Sequence, residues 1–272
     1  MKRLLLLLIA AVMLCPTAFG WARRQHAAVA KIAENHLTPK AKKLLTEYLD
    51  GRSIVFYASH LDDYKSVMLI DVGFNPTNGK RVTTLPHSFF AEADYKPYSG
   101  IERNGEFVKN CLYYTQKASD ELRANHRTMD DSTRIANIAL IVHCMGDMHC
   151  PQHVRYPDSM TLGYYKVTWN NKTIRYHDIW DDIFVSGCYP WGYGDIAELL
   201  DTASKSDIAD ITKGDIYTWG EDVARRVRPT HEYKEGAQIS PLEYRRKFKS
   251  LAEDMISRAG YRLAKILNDT FK

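Results

Sequence analysis

The densest chemistry in the chain lies in one run, His143-Cys-Met-Gly-Asp147-Met-His-Cys-Pro-Gln-His153. His143 and Asp147 are four residues apart, so on a helix both project from one face. Pro151 breaks such a helix, and His153 can then fold back toward the same point. A second pair with the same spacing follows, His177 and Asp181 in His-Asp-Ile-Trp-Asp. Imidazole and carboxylate together suit zinc, which accepts nitrogen and oxygen ligands in tetrahedral or five-coordinate sites. A lone His/Asp pair is an ordinary surface hydrogen bond or helix cap. Two pairs plus His153 point to metal.

The elements that must position these residues read as mostly helical. Thr38-Pro39 is an N-cap followed by proline at the first helical position, and Gly51 stops that helix. Ala27 to His36 forms a helix with Val29, Ile32 and Ala33 on one side. Longer helices are expected from Phe107 to Asn125 and from Ser132 to Met148. The second carries Ile135, Ile138, Ala139 and Val142 at helical spacing. Tyr164–Trp169 and Lys172–Tyr176 flank Asn170-Asn171, a β-hairpin turn. Helices resume near His177, from Gly194 to Ser204 and from Ile216 to Arg226, and Pro241 to Asn268 is a long terminal helix. The stretch from Asp71 to Glu106 is rich in Gly, Pro and Asn and reads as irregular. The expectation is an all-α, single-domain fold with one small β-hairpin.

Composition bounds the class. With 272 residues, 45% hydrophobic and 26% charged, the chain is long enough for one large core. Against 33 acidic residues stand 37 basic ones, and a net charge of +4 is too mild for a duplex-DNA binder working by phosphate neutralisation. Lys2 and Arg3, the apolar run Leu4–Leu14 and Ala18-Phe19-Gly20 read as a secretory signal cleaved after Gly20. Bulky Leu14 argues against a lipid anchor on Cys15, and later stretches lack an apolar run able to span a bilayer. The mature chain, residues 21–272, would be an exported monomer with a charge of +2 once Lys2 and Arg3 are gone. It keeps Cys111, Cys144, Cys150 and Cys188. Export permits two disulfides among them, and buried thiols are the alternative.

The residues resemble a family, the zinc-dependent single-strand-specific nucleases of the mung-bean and fungal type. Its superfamily also holds bacterial zinc phospholipase C. The resemblance covers nearly the whole mature chain. Trp21-Ala-Arg-Arg-Gln-His26 matches an N-terminal Trp with a His five residues on, and Ala58-Ser-His-Leu-Asp62-Asp-Tyr-Lys65 matches a helix with an Asp ligand and a following basic residue. Leu85-Pro-His87 matches the next His ligand. His143, Asp147 and His153 match the central motif, His177 and Asp181 the last pair, and Gly260-Tyr-Arg-Leu-Ala264 the C-terminal helix.

That resemblance implies a phospholipase C/nuclease-like fold and three zinc ions. Asp62, His87 and His143 would hold the first, with Asp147 bridging to a second. The second would take the α-amine and carbonyl of Trp21 and the ring of His26. His153, His177 and Asp181 would hold the third. Ions roughly 3.5–4 Å apart share and acidify a water that attacks phosphorus in line. Lys65 would neutralise charge on the phosphate. Substrates would be single-stranded DNA and RNA and 3′-nucleotides, with Ser88, Phe89 and Gly163 near the nucleotide. His149, His60, His36, His126 and His231 are read as packed or surface residues.

The chain departs from the family where the nucleotide is touched. The usual aromatic after the His87 equivalent is Ser88, followed by Phe89 and Phe90. A Gly-Gly-Asn is replaced by Thr161-Leu162-Gly163, and His60 stands where an aromatic is common. Two other readings are open: a phospholipase C, which Asp181 argues against because those enzymes resemble one another in having Glu there, and an exported zinc-binding protein without catalysis.

Overall fold

A computed structural model describes residues 23–63, 70–74, 81–84, 86–103, 106–107, 110–159, 163–189 and 191–272. The expected ligand Trp21, the expected phosphate contact Lys65, the leader, Leu85 and residues 161–162 lie outside the described residues.

Helices build the frame. Helix α1 (Arg23–Asn35) buries Ala28, Val29, Ile32 and Ala33 on its inner side. In α2 (Pro39–Tyr48), Thr38 accepts a hydrogen bond from the Ala41 amide and Pro39 opens the first turn. After it, Asp50 and Gly51 take φ of 52° and 74°, and the Gly51 amide closes onto the Thr46 carbonyl at 2.8 Å. Two short helices follow, α3 (Ile54–Tyr57) and α4 (His60–Asp63). Next come α5 (Cys111–Asn125) and α6 (Asp131–Asp147). Asn110 caps α5 by accepting from the Leu112 and Tyr113 amides, which puts its start four residues beyond the expected Phe107. Asp130 caps α6 in the same way through Thr133.

In α6 every residue from Ile138 to Asp147 is buried, so the helix runs through the middle of the molecule with protein on all sides. Helices α1 and α5 pack on it, and the long α12 (Pro241–Thr270) lies against α1, α5 and α6. Gly260 makes the α12–α1 approach possible. A Cβ there would stand 2.6 Å from the Ile32 Cβ. Such a contact forces backbone separation, so only glycine fits.

The segment expected to be irregular contains short strands. Ile70–Phe74 (β1) pairs antiparallel with Arg81–Thr84 (β2), and Glu102–Arg103 (β4) with Glu106–Phe107 (β5). Phe89–Phe90 (β3) pairs in parallel with Val154–Arg155 (β6). The expected hairpin forms as β7 (Lys166–Trp169) and β8 (Lys172–Arg175). Asn170 and Asn171 both take positive φ, 50° and 61°, as a two-residue turn between right-twisted strands requires. Gln238–Ile239 (β9) adds to β7 in parallel.

Downstream, the expected helix near His177 is a composite of α7 (Tyr176–Asp178), a π-helical turn Ile179–Ile183, and α8 (Phe184–Cys188). The helix expected over Gly194–Ser204 is α9 (Tyr193–Leu200). Ser204 instead caps α10 (Lys205–Ile211), and α11 (Ile216–Val227) follows. The fold is all-α with small sheets, and none of its described helices is long and apolar enough to cross a membrane.

Of the two alternatives open for Cys111, Cys144, Cys150 and Cys188, the structure has the free thiols rather than disulfides. Cys111, Cys144 and Cys150 are buried and Cys188 half-buried. The Cys144 thiol donates to the Pro86 carbonyl at 3.1 Å, so it is used as a packed donor.

Candidate metal centre

Three routes of the chain converge at the C-terminal end of α6. The first is α1, whose His26 is buried with its Nε2 3.4 Å from Asp147 Oδ1. The second is α6 itself. His143 Nε2 lies 3.0 Å from Asp147 Oδ2, the one-face geometry that the four-residue spacing dictates. The third begins at Cys150. Pro151 opens a 3₁₀ turn (Pro151–His153) that folds back and brings His153 Nδ1 to 3.1 Å from Asp147 Oδ1. Asp147 thus faces three imidazoles while its side chain has no exposed surface. Asp62 joins from α4, its Oδ2 3.9 Å from His143 Nε2.

The rings are oriented by what lies behind them. His143 Nδ1–H donates to the Ala58 carbonyl at 2.9 Å, which leaves Nε2 as the atom facing Asp62 and Asp147. His26 and His143 stack with centroids 4.4 Å apart and planes 6° from parallel. Gly146 permits that stack. A Cβ on it would come within 2.7 Å of the His26 Cε1. Gly146→Ala is therefore expected to push the His26 ring out of register. Overpacking costs about 1–3 kcal/mol, while helix propensity returns at most about 1 kcal/mol. Thermal unfolding of the variant with and without added zinc checks this. An unchanged melting temperature in both states would show that His26 is not held where the stack places it.

A second cluster adjoins the first. His177 Nε2 is 3.2 Å from Asp181 Oδ2, and His153 Nε2 is 3.7 Å from Asp181 Oδ1. The rings of His153 and His177 stack at 5.2 Å, and His87, half-buried, sets its ring edge-on to His153 at 5.3 Å. The backbone that holds this cluster is anchored one residue away on each side. Tyr176 donates to the Thr230 carbonyl at 2.5 Å and shares a 2.7 Å hydrogen bond with the Tyr244 hydroxyl. Trp180 Nε1–H donates to the same hydroxyl at 2.6 Å. Tyr176 and Trp180 form one buried stripe, and His177 and Asp181 form the next stripe round the turn. A π turn at this point is uncommon and concentrates at functional sites.

Electrostatics marks both clusters as unusual. Burial alone would lower the pKa of His143, but the Asp147 carboxylate outweighs it and pushes His143 up to about 9. His153 is raised to about 10, again because Asp147 outweighs burial. Burial and the neighbouring His143 hold His26 low. For Asp147 burial works upward, yet His143 and His153 hold its carboxyl well below the usual range. Despite these short approaches, both carboxylate oxygens of Asp147, both ring nitrogens of His26 and His153, His143 Nε2 and Asp181 Oδ1 are buried without a hydrogen-bond partner. Buried polar atoms are normally satisfied, and ligand-type atoms left unpaired in two adjoining clusters fit divalent cations. One ligand atom each of His26, Asp62 and His143 lies within 4.8 Å of the others, as do those of Cys150, His153 and Asp181.

The other histidines face elsewhere. His149 is buried, but Nδ1–H donates to the Met145 carbonyl and Nε2 accepts from Arg262, away from the cluster. His36 pairs with Asp201 at 2.7 Å, and His126 meets the Tyr48 hydroxyl at 2.6 Å. His231 lies between Ser159 and the Pro151 carbonyl.

Ser88 and Phe89 have no exposed surface: Phe89 lies in β3, paired with β6, and the Ser88 carbonyl accepts from the Cys111 amide at 2.9 Å at the start of α5. Phe90 is covered by the Arg103 guanidinium at 3.7 Å. Gly163 is a backbone device: φ is +68°, its carbonyl accepts from the His177 amide at 2.9 Å, and a Cβ would meet Tyr176 Cδ1 at 3.2 Å. Tyr164, which the sequence presents only as a hairpin residue, is 47% exposed, and its ring lies 4.8 Å from the His177 ring.

Comparison with known proteins gives the family. The family described as S1/P1 Nuclease matches residues 21–272. Endonuclease 2 of Arabidopsis thaliana is 23% identical over 235 residues, covering 83% of this chain and 77% of that protein. The chain belongs to the S1/P1 nuclease family, and it is a nuclease.

Proposed function

We propose that this chain is an exported, zinc-dependent enzyme that cleaves single-stranded DNA and RNA to 5′-phosphorylated products and removes 3′-phosphates from nucleotides. The observation that carries the reading is Asp147, a fully buried carboxylate facing three histidines whose site-facing atoms lack hydrogen bonds. Three zinc ions fit the donor set. Asp62, His87 and His143 would hold the first, Trp21 and His26 the second with Asp147 between them, and His153, His177 and Asp181 the third. When bound, such ions acidify water and stabilise charge on the phosphate and the leaving oxygen.

The chain's own groups supply the rest. Ala58 fixes the His143 tautomer through Nδ1–H. Burial of both clusters keeps the surroundings poorly screened, so each charge acts strongly. Lys65 would offset phosphate charge. Tyr164 offers an exposed ring beside His177 on which a base can stack. Residues 1–20 would be removed on export, leaving residues 21–272 as one monomeric domain.

An activity panel tests the proposal. Denatured DNA, RNA and a 3′-nucleotide should be hydrolysed, with intact duplex DNA cut at least about tenfold more slowly, because a rigid duplex hides the base faces that stacking uses. Hydrolysis of phosphatidylcholine with no action on denatured DNA would overturn it.

A further inference from the structure

We propose that Cys150 is a metal ligand, giving the cluster of His153, His177 and Asp181 a sulfur donor. The inference rests on the reading that this cluster holds an ion, and adds to it a soft fourth ligand.

The argument begins with the local chain path. Cys150 caps the 3₁₀ turn that redirects the chain out of α6. Its amide donates to the Asp147 carbonyl and its carbonyl accepts from the His153 amide, both at 3.0 Å. Proline at the first position of the turn rigidifies it. In a turn of this kind, side chains three residues apart lie over one another. The result is that Cys150, His153 and Asp181 each present a ligand atom within 4.8 Å of the other two, all three residues being buried.

The partners are independently poised for a cation. Both ring nitrogens of His153 and Oδ1 of Asp181 are buried without a hydrogen-bond partner. His177 is within 3.2 Å of the same carboxylate. With Cys150 the trio offers one imidazole, one carboxylate and one thiolate, and the His177 imidazole stands beside the other carboxylate oxygen. Such nitrogen, oxygen and sulfur ligands suit zinc, and the thiolate and carboxylate together neutralise its double charge. On binding, the thiol proton passes to water as the metal–sulfur bond forms. Softness of the sulfur favours zinc or cadmium over magnesium or manganese. The ion here is then held tightly and polarised less than one with an open, oxygen- and nitrogen-only shell.

Cobalt(II) is the probe, because visible ligand-field bands report the ion and a near-ultraviolet charge-transfer band reports a sulfur ligand. Metal-free mature protein titrated with cobalt should show both. Cys150→Ser should keep the ligand-field bands and lose the charge-transfer band, with zinc displacing cobalt from that site at least about tenfold less effectively. A variant with Cys111, Cys144 and Cys188 all changed to Ala should keep the charge-transfer band. This arm decides the matter if Cys150→Ser does not fold. Ligand-field bands without charge transfer in the parent, or charge transfer that persists in Cys150→Ser, would overturn the assignment of Cys150 and leave the metal cluster standing. Absence of both bands in the parent would overturn the metal reading with it.

Discussion

Asp147→Asn is expected to reduce turnover by at least about a thousandfold, equivalent to about 4 kcal/mol of transition-state stabilisation. The side chains are nearly the same size, so the loss is one of charge. The Asp147 carboxylate lies within 3.4 Å of His26, His143 and His153 together. An amide there cannot bridge two cations and turns a donor toward imidazole nitrogens. Lys65→Ala, which would remove one proposed electrostatic contact to the phosphate, should cost on the order of 3 kcal/mol, roughly a hundredfold. Metal analysis should show Asp147→Asn with at least one ion fewer than the parent. Turnover comparable to Lys65→Ala, or a full metal complement, would show that Asp147 does not bridge.

An extra residue before Trp21 should cost nearly as much. The α-amine and carbonyl of Trp21 can form a five-membered chelate only if Trp21 is the first residue, since an amide nitrogen in a continuing chain is a poor ligand. Five residues on, His26 is buried in α1 against Asp147. Free α-amines titrate near pH 7.7–8.0, and a bound zinc ion would hold this one deprotonated well below that. Protein carrying an added Met or tag should lose one ion and at least about a hundredfold in turnover, the loss of one Lewis acid being worth several kcal/mol. Trimming to a free Trp21 should restore both. Removal of the leader would then act as maturation, and equal activity of extended and trimmed protein would remove Trp21 from the ligand set.

What was legible in the sequence was local. The four-residue spacings of His143–Asp147 and His177–Asp181, the Thr38-Pro39 cap and the Asn170-Asn171 turn are each set by backbone geometry within a few residues, and the structure forms all of them. Helix α5 begins late because a capping asparagine overrides an apolar pattern that runs on upstream. The burial of Phe89 goes with its pairing to Val154, and that of Ser88 with its bridge to Asn110, contacts that no local pattern encodes. The approach of Cys150 to His153 and Asp181 is hidden from the sequence for the same reason. Its neighbours in sequence indicated a helix end, and only the 3₁₀ turn after Pro151 brings it to His153 and Asp181. Tyr164 acquires its place beside His177 through the Gly163 carbonyl, which accepts from the His177 amide across the hairpin.

Metal content measured together with activity tests the central claim most directly. Mature protein purified without chelator should carry three zinc ions per chain. Exhaustive chelation should abolish hydrolysis of denatured DNA, and added zinc should restore it in step with metal uptake. Protein that remains fully active with one tightly bound ion, or with none, would contradict the account.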